Sequence, residues 1–364
     1  MALSEKLLSV FPLPSSVTMP AVGLDISDHS IKFLELVHSH TGFRVGRFGT
    51  KEIPEGIVVG GMITRRDDLV KILAELKDEH KLTYVRASLP EEPGYIFTTI
   101  VPAVSPDEIR SLLKFKLEEH VPISPTDAVI DFDTVATDAP VGSKEKVVAV
   151  SVFPEGLAQI YVDLLHAAGL TPVSLEIEAQ AIARAVVPQN LTAACMSVDV
   201  GRTRSCISVV AGGVVRFTTT VDIGGDGLSL AIAKALPNAK EEEILVLKNE
   251  EGLAHTEHED VKTAMYAFAK TLRNEIERYY IYWQTHPEQN QKLPHPLVDR
   301  VFLSGGYANT AGLSEFLSEE LLMPVIRANV WENAFSLDDH VPPLEYRHSL
   351  SYASSIGLAL HQDT

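Results

Sequence analysis

From residue 22 the chain alternates short apolar runs with polar breaks. Val-Gly-Leu-Asp-Ile gives way to Ser27-Asp28-His29, a second run (IKFLEL) follows, and after a turn near Thr41-Gly42 comes a third (FRVGRF). Runs of this length bounded by turn residues predict β-strands. From Met196 the same order returns: SVDVG, the polar turn Arg202-Thr203-Arg204, SCISVV, a turn at Gly212-Gly213, then VVRFTTTV. Asp25 and Asp199 fall at matching places. Two such meanders, each followed by helical sequence, predict a duplicated α/β chain whose similar halves face each other.

Between the halves the period changes. Thr64 to Leu82 reads as a helix with Leu69, Ile72, Leu73 and Leu76 on one face, and Thr64 with Asp67 resembles a capping box. A strand-like YVRASL leads to Pro90 and Pro93, and Ser105-Pro106-Asp107-Glu108 is a strong helix start, with a serine cap, proline in the first turn and acids that suit the helix dipole. That helix turns Ile109, Leu112, Leu113 and Leu117 inward and ends before Pro122. Strand-like AVIDFDTVA and KVVAVSVF follow, and a helix from Glu155 to Ala168 stops at Gly169. Roughly 94–170 reads as a small α/β subdomain inserted into the first half. In the second half, Asp226 to Leu236 and Ala239 to Asn249 read as helices. A long one over about 258–285 repeats Val261, Met265, Phe268, Leu272, Ile276, Tyr279 and Trp283 at steps of four and three. Its aromatic seam favours a buried domain helix over a coiled coil. A strand (RVFLSGG), a helix from Thr310 and a small-residue helix (SYASSIGLAL) close the chain.

Composition narrows the function classes. At 364 residues, 45% hydrophobic and 22% charged, the chain is an ordinary globular protein of about two domains. With 31 Lys and Arg against 49 Asp and Glu the formal charge is −18, which repels nucleic acid and anionic lipid at long range. Cys195 and Cys206 lack metal spacing and read as buried core thiols of a reducing compartment. No run approaches the ~18 apolar residues of a spanning helix, and the start, MALSEKLLSVFPLP, has the wrong shape for a signal peptide. The expected location is cytoplasmic. Leu3, Leu7, Leu8 and Phe11 would share one side of a short helix, so a partner-docking or membrane-touching peptide stands beside a tail that is disordered or packed on its own domain.

The paired turns carry the chemistry. In a tight hairpin turn, backbone N–H groups converge on an anion, hydroxyls add donors, and the preceding aspartate can hold a hydrated Mg²⁺. The first turn offers Asp25, Ser27, Ser30 and Lys32, and the second offers Asp199, Gly201, Thr203 and Ser205. Either alone reads equally as an ordinary strand-end turn; the duplication favours a triphosphate clamp. Ser304-Gly305-Gly306-Tyr307-Ala308-Asn309 sits between a strand and a helix, where Gly305 and Gly306 suit a nucleoside and its α-phosphate. Gly224 and Gly225 form a comparable loop. The segment ending at Lys248 could reach ribose or base, or form a solvated charged face.

The order of Asp turn, inserted segment, second Asp turn, long helix and SGG resembles the actin-like ATPase superfamily. GLDISDHSIKFLEL, the insert containing VPISPTDAVIDFDTV, LEIEAQAIARAV, DIGGDGLSLAIAK and LSGGYANTAGL are similar to its PilM branch, the actin-like proteins of type IV pilus machines, over about residues 20–361. The division family FtsA is a near relative. This resemblance implies an α/β, actin-like ATPase fold of duplicated ribonuclease-H-like lobes with an inserted subdomain of the FtsA/PilM (SHS2) type. It divides the chain into a tail (1–20), a first lobe (21–93 and 171–195), the insert (94–170), a second lobe (196–350) and a C-terminal helix returning to the first lobe (351–364). It implies ATP and Mg²⁺ as ligands. Asp25 and Asp199 would manage the metal through water, and with it the attacking water. Ser27, Ser30 and Thr203 would meet phosphates, Gly305, Gly306 and Tyr307 the adenosine, and Glu178 would stand where a water-activating group sits. The first turn departs from the superfamily's Gly followed by Ser or Thr. Asp28 brings a second carboxylate near polyphosphate, a repulsion that Mg²⁺ or outward rotation must offset.

Nucleotide binding more than turnover would then carry the function, with at most a slow ATPase. The implied partners are the N-terminal cytoplasmic tail of a bitopic PilN-like protein, the pilus motor ATPases and further copies in a ring or filament, with membrane contact only through a partner. An FtsA-like division role is the near alternative, but that family uses a C-terminal amphipathic helix and this sequence stops at Gln362-Asp363-Thr364. A small-molecule kinase of the same superfold would need a second polar cluster that the sequence does not offer.

Overall fold

The computed structural model describes residues 21–39, 42–135, 144–286 and 296–361; the N-terminal Leu3–Phe11 stretch and the last three residues lie outside them. The first half runs β1 (Val22–Ile26), β2 (Ser30–Ser39), β3 (Gly42–Glu52), a short β4 (Val58–Val59) and β5 (Met62–Ile63), helix α1 (Arg66–His80) and β6 (Tyr84–Leu89). The insert adds β7 (Tyr95–Pro102), α2 (Pro106–His120), β8 (Ala128–Thr134) and β9 (Glu145–Pro154). Helix α3 (Glu155–Ala167), β10 (Thr171–Ile177) and α4 (Glu178–Val186) return to the lobe. The second half runs β11 (Ala194–Val200), β12 (Ser205–Ala211), β13 (Val214–Val221), α5 (Gly225–Ala235), α6 (Glu241–Val246), α7 (Gly252–His255), α8 (Glu259–Thr285), β14 (Val298–Ser304), α9 (Leu313–Leu321), β15 (Val325–Arg327), α10 (Tyr346–Ser349) and α11 (Ala353–Leu360).

The two main sheets have one topology. The first is ordered β10-β6-β1-β2-β3 and the second β15-β14-β11-β12-β13. In each, the meander is antiparallel and the strands on the other side of the central one are parallel to it. Central β1 is buried at every position, as a strand covered on both faces must be. Beneath the first sheet, Leu24, Phe33, Leu69, Leu73, Leu76 and Val85 form one core. In the second lobe, Met196, Val198, Ile207 and Leu228 pack with Val261, Met265, Leu272 and Ile276 of α8, so the long helix is a buried domain helix.

Strands β7, β9 and β8 form a separate antiparallel sheet closed by α2 through Ile109, Leu113, Leu117, Val148 and Val150. Ser105 caps α2 in a full capping box with Glu108. Helix α1 has no such cap. The Thr64 hydroxyl donates instead to the carbonyls of Gly56 and Ile57, because the β4–β5 hairpin folds back and places the Ile57 carbonyl on the Thr64 amide as well. Helix α3 sends Leu164 and Leu165 into the core of the first lobe.

Helix α11 seats β1 against α4 without intervening side chains. A Cβ on Gly23 would lie 1.9 Å from the Ser355 carbonyl oxygen, and one on Gly357 would lie 1.7 Å from that of Ala181. Only glycine permits these approaches, and they set the depth at which α4 presents its first residue, Glu178.

Candidate functional site

Each central strand carries an aspartate two residues before its turn: Asp25, paired in register with Lys32, and Asp199, paired with Cys206. The two turns close alike, with Ser27 N–H donating to the Ser30 carbonyl and Gly201 N–H to that of Arg204, both at 2.9 Å. The neighbouring parallel strands repeat a further detail. The Ser88 hydroxyl at the end of β6 donates to Asp25 Oδ1 at 2.8 Å, and the Ser304 hydroxyl at the end of β14 donates to Asp199 Oδ1 at 2.8 Å. Asp25 also accepts from Ser354 of α11 at 2.9 Å.

Between the turns lies a cavity of about 120 Å³, lined by Ser27, Asp28 and His29 from one lobe and by Asp199, Gly201, Arg202, Thr203, Arg204, Ser205 and Cys206 from the other, with Glu91, Glu92 and Glu178 at its side. Its inner side is acidic. Burial, reinforced by the charges of Asp25 and Asp199, pushes the Glu178 carboxyl well above its ordinary range. Burial also raises Asp199 to about 6, with Asp25 adding to the rise and Ser304 and Lys32 opposing it. Glu91, only 5% exposed, is raised to about 8 by burial; Cys206 Sγ donates to its Oε2 at 2.8 Å, and its Oε1 has no hydrogen-bond partner among the described residues. Clustered carboxylates that resist ionisation suit a cation. Among the described residues no group of three or more His, Cys, Asp or Glu is arranged to ligate a metal directly. The fit is therefore to an ion such as Mg²⁺ that keeps water and phosphate ligands.

Asp28 takes the outward course. The amides of Gly60 and Gly61 donate to its two carboxylate oxygens at 3.0 Å each, and Arg204 of the opposite lobe pairs with it and with Glu92. Gly60 and Gly61, with φ of 64° and 69°, form the two-residue turn between β4 and β5, a conformation open to glycine, and Tyr161 of α3 fixes that turn by donating to the Gly61 carbonyl at 2.8 Å.

The remaining candidate residues divide by role. Ser30 is buried behind the first turn, where its hydroxyl accepts from Lys32 Nζ at 2.9 Å. The Ser205 hydroxyl donates to the Ile223 carbonyl at 2.6 Å. Gly224 and Gly225 back the second turn: the Gly225 amide donates to the Gly201 carbonyl at 3.1 Å, and a Cβ on Gly224 would lie 2.4 Å from the Arg202 carbonyl oxygen. Gly305, at φ 87°, abuts the Val200 backbone, while Gly306 is open. The Tyr307 ring lies directly on Gly225, with Lys248 Nζ 4.2 Å from its centroid and its hydroxyl donating to Asp226 at 3.2 Å. Lys248 is thus buried at the site and not on a solvated face.

Sequence reasoning passed over Ser88, Ser354, Gly60, Gly61, Glu91, Glu92 and Arg204. Three of these left a signal: a serine, Ser88 here, ends the parallel strand in both halves (YVRAS and VFLS), and Gly60-Gly61 between the apolar pairs Val58-Val59 and Met62-Ile63 marks a hairpin.

With this geometry in hand, comparison with known proteins is specific. The family model described as type IV pilus assembly protein PilM matches residues 23–363. The chain belongs to this family. Among solved structures, the PilM family's fold is seen in a PilM–PilN type IV pilus biogenesis complex, similar at 20% identity and TM-score 0.73 over 94% of this chain and 98% of that one. The ethanolamine utilization protein EutJ from Carboxydothermus hydrogenoformans is similar at 18% identity and TM-score 0.54 over 96% and 91% of the two chains. MreB5 of Spiroplasma citri bound to AMPPNP is similar at 11% identity and TM-score 0.50 over 87% and 93% of the two chains. These likenesses establish the actin-like ATPase fold for this PilM family member. No helix among its described residues is long and apolar enough to cross a membrane.

Proposed function

We propose that the protein is an ATP-binding, actin-like scaffold of the type IV pilus inner-membrane platform, in which bound nucleotide sets the closure of two lobes and thereby recruits partners. The observation that carries this reading is the meeting of two aspartate-bearing turns over one acidic cavity in a chain of the PilM family. The Gly201 and Thr203 side of the cavity would receive phosphates together with Ser27. Asp25 and Asp199 would hold hydrated Mg²⁺, which supplies the positive charge that their buried carboxylates and the phosphates share. Lys248, Tyr307 and the Gly305-Gly306 loop would bound the nucleoside. Glu178 faces the same space, where burial and the charges of Asp25 and Asp199 raise its proton affinity, and the protein would bind ATP and turn it over slowly at most.

The solved PilM–PilN complex supports a PilN-like partner, and we take it to be a bitopic protein that would engage through its cytoplasmic N-terminal tail. This would hold the protein on the cytoplasmic face of the inner membrane, alongside the pilus motor ATPases and further copies of itself in a ring or filament. Calorimetric titration with Mg·ATP tests the nucleotide reading: Asp25→Ala and Asp199→Ala should each weaken binding by about tenfold or more, equivalent to roughly 1.4 kcal/mol. If neither does, the phosphate-turn assignment fails. A synthetic PilN-type tail should bind the full chain with an affinity that changes when Mg·ATP is added; equal affinity with and without nucleotide would separate partner binding from closure.

A further inference from the structure

Arg204 occupies a singular position. It closes the second turn through its backbone, its carbonyl accepting from Gly201 N–H at 2.9 Å, while its side chain crosses the mouth of the cavity to two carboxylates of the other lobe. Those carboxylates are not equivalent. Asp28 is fixed by the amides of Gly60 and Gly61, so it stays in place whatever Arg204 does. Glu92 is one-third exposed and pairs in the site with the guanidinium. Arg204 itself is 20% exposed at the side chain and lines the cavity beside Gly201 and Thr203. A planar guanidinium is shaped to take a phosphate with two parallel hydrogen bonds, and a phosphate offers it a better acceptor than a partly solvated glutamate.

We infer that Arg204 is a specificity-determining residue that distinguishes a nucleoside triphosphate from a diphosphate by exchanging Glu92 for the terminal phosphate while remaining anchored on Asp28. This rests on the nucleotide reading above and adds to it the residue that senses the third phosphate. The charge arrangement requires such a residue. The cavity is lined by Asp28, Glu92 and Asp199 as well as by the proton-retaining Glu91 and Glu178, so each further phosphate meets repulsion from those that ionise, and the turn's backbone donors supply only partial charge to offset it. A diphosphate can be served by the turn amides and Mg²⁺ and leaves the Arg204–Glu92 pair intact. Because Arg204 belongs to one lobe and Glu92 to the other, the exchange also alters a bond between lobes.

The test uses the full chain and calorimetric titration with Mg²⁺ and either ATP, non-hydrolysable AMPPNP or ADP. Arg204→Ala should weaken the two triphosphates by about tenfold or more, the loss typical of a charge-assisted bidentate contact, and leave ADP within about twofold. Glu92→Gln, which removes the competitor, should tighten the triphosphates several-fold and leave ADP unchanged; Arg204→Lys should recover only part of the loss because it lacks the fork. Equal changes for ATP and ADP in Arg204→Ala would reduce the residue to a structural bridge and overturn the proposal, as would no change with either. Inorganic tripolyphosphate and pyrophosphate separate the two claims. Arg204-dependent preference for tripolyphosphate in a protein that binds no nucleotide would keep the phosphate sensor and sink the nucleoside reading, whereas a wild type that binds none of these probes sinks both. Circular dichroism and thermal midpoints of the variants show that each is folded.

Discussion

The two turns that face the cavity share a backbone and differ in charge. Residues 27–30 and 201–204 connect equivalent strands in the same register, close with the same hydrogen bond, and follow aspartates held by equivalent serines. Yet the first places Asp28 where the second places Arg202, and Ser30 where the second places Arg204. The first also satisfies itself: the Ser27 hydroxyl donates to the Ser30 carbonyl at 3.0 Å, and Asp28 is turned away onto Gly60 and Gly61. The second begins with Gly201, whose missing Cβ would lie 2.7 Å from the Arg204 carbonyl oxygen, so only glycine lets its amide close the turn on that carbonyl. The two halves keep one turn geometry, and their side chains give it opposite charge, Asp28 in the first turn and Arg202 and Arg204 in the second.

The most severe way to break this asymmetry is to disturb what supports the second turn. Gly305 sits at φ 87° with its would-be Cβ 2.4 Å from the Val200 carbonyl oxygen. Gly305→Val adds backbone strain to overpacking and should cost roughly 4–6 kcal/mol, or prevent accumulation of folded protein altogether. Gly306→Ala, one residue on, meets only Ser351 Cβ at 3.8 Å and should cost under about 1 kcal/mol. Urea unfolding of the pair measures the contrast, and similar values for both would show that the SGG loop does not brace the turn.

A change of pH probes the acids between the turns. Glu91, Glu178 and Asp199 all bind protons more tightly in the folded chain than an unfolded one would. Carboxyls with raised values stabilise the fold fully below their unfolded range and lose that contribution as pH rises through the folded values, here through about 6 for Asp199 and about 8 for Glu91. Without divalent cation, stability should therefore fall by on the order of 5 kcal/mol between about pH 5 and pH 9. Glu91→Gln should flatten the upper part of that fall. A thermal midpoint that rises over this interval would show that the acids are paired or solvated in solution.

Much of this organisation was legible in sequence because it is local and repeated. The Asp-bearing meanders, the Ser105 cap and the α8 seam are each written within a few neighbouring residues, and the resemblance to the PilM branch was carried by such segments. What stayed hidden joins distant positions. Arg204 and Asp28 are 176 residues apart and Arg204 and Glu92 are 112 apart, so no periodicity could pair them. Thr64 carried a local capping pattern that a longer-range contact overruled: the hairpin carbonyls of Gly56 and Ile57 took its hydroxyl first. Ser354 reaches Asp25 only because glycines let α11 sink onto β1.

The two aspartates offer a gentler test of the same asymmetry. Asp25 is 6% exposed and accepts two serine hydroxyls, whereas Asp199 opens onto the cavity and accepts one. Asp25→Ala strands two buried hydroxyls and should destabilise the ligand-free protein by about 2 kcal/mol. Asp199→Ala relieves repulsion among the raised acids as it loses its single bond, so its cost should be smaller, about 1 kcal/mol or less. Chemical denaturation checks the order, and a larger loss at Asp199 would mean that its role is primarily structural.

The smallest effect concerns the residues opposite those aspartates, Lys32 in the first lobe and Cys206 in the second. The Lys32 ammonium donates to the Ser30 hydroxyl at 2.9 Å, and its charge also opposes the rise at Asp199. A thiol cannot compensate Asp199, and Cys206 instead donates to Glu91, whose proton affinity it lowers against the larger effect of burial. Removing that donor in Cys206→Ala should move the Glu91 titration further upward and cost about 1 kcal/mol at pH values where Glu91 is ionised, with almost no cost where it is protonated. The sign of the pH dependence is the decisive reading. A thiol that merely fills space would cost the same at every pH, whereas one that steadies a buried carboxylate costs more as the solution becomes alkaline, and only the second behaviour gives Cys206 an electrostatic part in the site.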